Sequence, residues 1–122
     1  MRATRVRPRL MIGYAPTRGA TVVDVSQTES YARAGELLRA LAAPVRIAIV
    51  TELATNGERH VHELVERLRV AQPLVSQHLR VLRAAGVVRA ERHGREIAYS
   101  LVDDHVAHIV ADAVTHAAEP RS

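Results

Sequence analysis

Apolar residues return along this chain in two rhythms, and the change from one to the other predicts the fold. From Ser30, Ala34, Leu37, Leu38 and Leu41 recur at three- and four-residue spacing, which is one face of a helix ending near Ala43. Pro44 suits the first turn of a second helix, where a missing N–H is harmless. Val45, Ile47, Ile49, Val50 and Leu53 fill that helix, and Asn56 and Gly57 stop it. A short third helix carries Val61, Leu64, Val65 and Leu68, and a fourth begins at Gln72 after a joint of only three residues. Two short helices so joined read as a helix-turn-helix.

Beyond Gly86 the period shortens to two. Val87 to Glu91, a polar turn through Arg92, His93, Gly94 and Arg95, and then Glu96 to Leu101 predict a hairpin. A last helix runs from about Asp104 to Ala117, with Pro120 beyond it. The predicted class is mainly α with one small β-hairpin, in the order α-α-α-α-β-β-α. Residues 1 to 29 mix Arg, Gly, Pro and Thr without a period and read as a flexible basic arm; residues 30 to 119 form the domain.

On a wheel at about 100° per residue, Gln72, Ser76, Arg80 and Arg83 fall within ~80° of one another with Gln77 beside them. Leu74, Val75, Leu79, Val81 and Leu82 take the other side, together with His78, which reads as a hydrogen-bonded core histidine. Such a helix can read base edges with one face while the other anchors it. A solvated helix face would show the same amphipathicity, but the short helix before it and the hairpin after it favour the major-groove reader. Arg92, His93 and Arg95 at the hairpin tip would lie along the flanking backbone.

Charge sharpens this picture. The net charge is +4, but residues 1 to 29 hold five Arg against Asp24 and Glu29, leaving +1 for the remainder. Locally, residues 72 to 95 set five Arg against Glu91 alone, a +4 stretch where a nucleic-acid contact is needed. With no Trp, no Phe and three Tyr, a stacking platform for single strands is excluded. The absence of Cys removes disulfides and thiolate metal sites. No apolar run reaches the ~18 residues of a membrane span, and no signal-peptide core is present, so the expected location is cytoplasmic.

Any metal must then be held by His and carboxylates, and the last helix supplies them as Asp103, His105, His116 and Glu119. His105 and His116 are eleven residues apart, which is about three turns, so they share a face within ~20°. Asp103 can join that face only from a non-helical N-cap. At ~1.5 Å per residue the two His lie about 16 Å apart, whereas zinc ligands sit only ~2 Å from the ion. One chain cannot close such a site; two helices packed antiparallel across a two-fold axis can close it twice. Val106, Ile109, Val110, Ala113, Val114 and Ala117 would form the adjoining apolar seam. His108 and Asp112 lie on the outer side and read as solvated. His60, His62 and Glu63 make a weaker metal-capable cluster at the start of the third helix, with nothing nearby in sequence to complete it.

Together, LLRALAAPVRIAIVTEL, QPLVSQHLRVLRAAGVV, RHGREIAYSL and the D-x-H with H-x-x-E pair resemble the ArsR/SmtB family of bacterial metal-responsive repressors over about residues 33 to 119. The resemblance implies a winged helix-turn-helix homodimer that binds operator double-stranded DNA without metal and leaves it when zinc or cobalt binds. It implies that Asp103, His105, His116 and Glu119 are the metal ligands, matching the SmtB-type members residue for residue. Ala71 stands where many relatives place a Ser cap. A winged-helix regulator without a metal switch is the chief rival. A metalloenzyme is not expected, since four protein ligands leave no open position on a tetrahedral ion, and neither a membrane nor a small-molecule substrate is expected.

Overall fold

The computed structural model describes residues 24 to 121, so residues 1 to 23 of the arm predicted over residues 1 to 29 lie outside them. The described elements are α1 (Val25–Leu41), α2 (Pro44–Asn56), β1 (Arg59–His60), α3 (Val61–Leu68), α4 (Gln72–Ala84), β2 (Val88–His93), β3 (Glu96–Leu101) and α5 (Asp104–Ala118). Compactness divides the chain at Arg33. Helix α1 starts at Val25 rather than Ser30; Val25 to Glu29 carry no apolar period, so the pattern could not announce this turn.

From Ala34 on, one core gathers Leu41, Ile49, Val50, Leu53, Leu64, Val75, Leu79, Leu82, Val87, Val88, Val106 and Val110. Its geometry follows from helical spacing: Val75, Leu79 and Leu82 lie at i, i+4 and i+7 on α4, and all three are buried. Pro44 opens α2 and Gly57, at φ 80°, closes it. After α4, Val87 N–H bonds Leu82 O at 2.9 Å and Gly86 N–H bonds Arg83 O at 3.0 Å. These paired closing bonds, with Gly86 at φ 77°, end the helix and turn the chain into β2.

Between α3 and α4 the joint is set by Arg69, at φ 60° and ψ 41°, whose N–H bonds Val65 O. It is the one non-glycine residue with positive φ among those described.

Three strands form the sheet, where two were expected. β3 is central, flanked antiparallel by β1 and β2. β1 is two residues long, too short for a period to show, and pairs Arg59 with Tyr99 and His60 with Ala98. In the hairpin, His93 pairs with Glu96, so the turn is Gly94-Arg95 rather than the four residues expected. Gly94 has φ 67° and Arg95 is not left-handed, which suits a tight turn with Gly at its first central position.

Candidate functional site

Buried Val75, Leu79 and Leu82 fix how α4 sits, and Gln72, Gln77, Arg80 and Arg83 are exposed on its outer surface. Ser76 is half-buried and faces the sheet, lining a 270 Å³ cleft with Arg80, Arg83 and Tyr99. Two expectations need correction. Leu74 is 48% exposed, because the core arc centres on Val75 and Leu79 and Leu74 falls ~100° to its side. His78 is half-buried and makes no side-chain hydrogen bond to the described residues, so it is not the satisfied core histidine its wheel position suggested.

At the hairpin tip Arg92, His93 and Arg95 are all exposed. Arg92 donates to Gly94 O at 3.3 Å. His93 faces acids instead: its Nε2 is 3.6 Å from Glu91 and 3.9 Å from Glu58. Arg80, Arg83, Arg92 and Arg95 have no carboxylate partner among the described residues, so their charge is uncompensated by neighbours. Among the described residues, the ion pairs of other arginines gather elsewhere, at Glu52. This carboxylate is 8% exposed and lies 3.5 Å from Arg59 and 3.2 Å from Arg67, with Asn56 donating at 2.8 Å. Burial pushes its pKa up, but the hydrogen bonds from Asn56, Arg67 and Arg59 and the charge of Arg67 prevail and hold it below the ordinary 4.5.

Helix α5 begins as the ligand spacing requires. Asp103 is the N-cap, in extended backbone, and its Oδ1 accepts from His105 N–H at 2.9 Å. The His105 Nδ1 lies 3.5 Å from the same oxygen, and the His105 side chain is 89% exposed. Asp103 and His105 are thus side by side at one end. His116 is exposed in the last turn. Glu119 is the C-cap rather than a helical residue, its N–H bonding His116 O at 3.2 Å. The donor chemistry, two imidazoles and two carboxylates, fits zinc or cobalt, and within one chain the two halves stay apart. His108 and Asp112 are exposed. The apolar arc of α5 divides differently from expectation: Val106 and Val110 are buried in the chain's own core, while Ile109 and Val114 are 38% and 49% exposed.

Among the described residues, the donors gathered within one chain lie at the sheet. His60, His62 and Glu96 bring one ligand atom each within 4.8 Å of one another, as do Glu58, Glu91 and His93. Glu63, expected with His60 and His62, instead caps α3: its carboxylate accepts from His60 N–H at 2.8 Å. That bond chiefly, with the charge of Arg59, holds its pKa below the ordinary range. Glu96 takes its place in the cluster through the β1–β3 pairing, and no sequence spacing could have named it.

Residues 43–90 match the family described as bacterial regulatory protein, arsR family. The chain is 69% identical over 86 residues to the HTH-type transcriptional repressor SmtB of Mycobacterium tuberculosis, a match covering 70% of this chain and 63% of that protein. With the HTH-type transcriptional regulator NmtR of the same organism it shares 43% identity over 73% of each. Its fold matches the crystal structure of the transcriptional repressor BigR from Xylella fastidiosa with a TM-score of 0.66 at 32% identity, over 81% of this chain and all of that one. Among the described residues no helix is long and apolar enough to cross a membrane.

Proposed function

The chain belongs to the arsR family of bacterial regulatory proteins, and from this premise we propose that it is a homodimeric repressor whose hold on operator DNA is released by zinc or cobalt. Gln72, Gln77 and Arg80 of α4 read base edges in the major groove, with Ser76 half-buried at the margin of that row, and Arg83, Arg92 and Arg95 neutralise phosphates. His93, drawn toward Glu58 and Glu91, contributes at most a backbone contact. The relatives' names, repressor and regulator, accord with this reading.

One observation carries the metal switch: Asp103 and His105 stand together at the start of α5, while His116 and Glu119 stand about three turns away at its end. Each half supplies one imidazole and one carboxylate. A second chain packed antiparallel through Ile109 and its exposed neighbours puts the complementary half within reach, so ligand binding and dimer geometry become one event. Metal and operator then oppose each other reciprocally. Zinc titrated into a labelled operator complex should displace the protein, and His116→Ala should keep DNA binding while losing that response. Binding indifferent to zinc would reduce the reading to a winged-helix regulator without a metal switch.

A further inference from the structure

We propose that His60, His62 and Glu96 hold a second divalent cation, closed within a single protomer, that fastens the hairpin to the entrance of α3. His60 ends β1 and caps α3, His62 lies in the first turn of α3, and Glu96 opens β3. The imidazoles are stacked, with centroids 5.6 Å apart and planes 6° from parallel. His60 has a carboxylate at each ring nitrogen: Glu63 Oε1 lies 3.3 Å from Nδ1 and Glu96 Oε1 lies 3.2 Å from Nε2.

A neutral imidazole has one N–H for these two acids. Glu63 also accepts the His60 backbone N–H at 2.8 Å; with the ring proton on Nδ1, facing Glu63, the pair would form the carboxylate-to-histidine arrangement that orients metal ligands. Nε2 would then offer its lone pair beside Glu96 Oε1, 3.2 Å away, and a cation between them would bond to both. His62 completes the set by closing on a donor spacing already under 4.8 Å; it and Glu96 are exposed and free to adjust.

Two imidazole nitrogens and one carboxylate favour zinc, cobalt or nickel over magnesium or calcium. Three ligands leave room for water, so the ion should exchange readily. The 340 Å³ cleft beside the cluster is also lined by Gln72, Ser76 and Arg95. The Arg95 charge opposes the cation, but occupancy would set the hairpin against the start of α4 in each protomer separately. This site is independent of the α5 reading.

The test is cobalt titration, followed by its visible absorption, of the full chain carrying His105→Ala and His116→Ala. One cobalt per protomer should still bind, and adding His62→Ala or Glu96→Gln should weaken it by about tenfold or more. In the unsubstituted chain, zinc should shift the imidazole nitrogen resonances of His60 and His62. No cobalt on the doubly substituted chain, affinity within twofold after Glu96→Gln, or unmoved His60 and His62 signals would overturn the proposal and leave His60 as a helix cap flanked by two acids.

Discussion

The two ends of α5 and the junction of α3 with the sheet offer metals the same kinds of donors in opposite arrangements. Along α5 the two imidazoles share a face by periodicity but are separated by the rise of the helix, so a single chain would hold only halves. At the sheet, strand pairing brings Glu96 to His60 and His62 from a distant part of the sequence. Helical periodicity is thus readable but cannot converge, whereas strand pairing converges and leaves no trace in spacing. On the proposed reading, one arrangement would report on assembly and the other on the shape of a protomer.

Mixing chains breaks or upholds this contrast most directly. A chain with Asp103→Ala and His105→Ala, paired with one carrying His116→Ala and Glu119→Ala, should regain one intact α5 site per mixed dimer although neither parent has any. Mixing His62→Ala with Glu96→Gln chains should restore nothing at the sheet; cobalt absorption on isolated mixed dimers checks both. Next in size, Ile109→Glu should weaken the dimer by about 2 kcal/mol, roughly thirtyfold, as sedimentation would record. Cobalt at α5 should weaken with it, and cobalt at the sheet should not.

The junction itself rests on Glu52, which joins α2 to β1 and α3 through Arg59 and Arg67. Because its folded pKa is depressed, its contribution is complete above the ordinary 4.5 and is lost as pH falls through the lower folded value. Denaturation curves of the parent and Glu52→Gln should differ by about 1.5 kcal/mol at pH 7 and converge in acid. The smallest effect concerns the hairpin tip. Arg92→Ala should reduce the salt slope of duplex binding by about 0.9, with nearly the same loss on every sequence tested.

Much of the fold was legible because its burial is periodic: Val75, Leu79 and Leu82 gave the anchored face of α4, and Gly57, Gly86 and Gly94 marked real reversals of the chain. The two-residue period over Glu96 to Leu101 located β3. What escaped notice was what periodicity cannot encode. β1 is defined only by its partner, Leu74 sits at the margin of an arc whose centre packing alone decides, and Val106 and Val110 were claimed by α2 before any dimer could use them. The proposed α5 donor set rests on spacing, and its division into halves on the helical rise alone.

Arg69 at the bend between α3 and α4 has a further consequence. A side chain held in the left-handed region costs about 1 kcal/mol relative to glycine, so the angle between the two helices is stored as backbone tension rather than left to a loose joint. Replacing it with glycine should keep the angle while softening the spring, making the pitch of α4 easier to change under load.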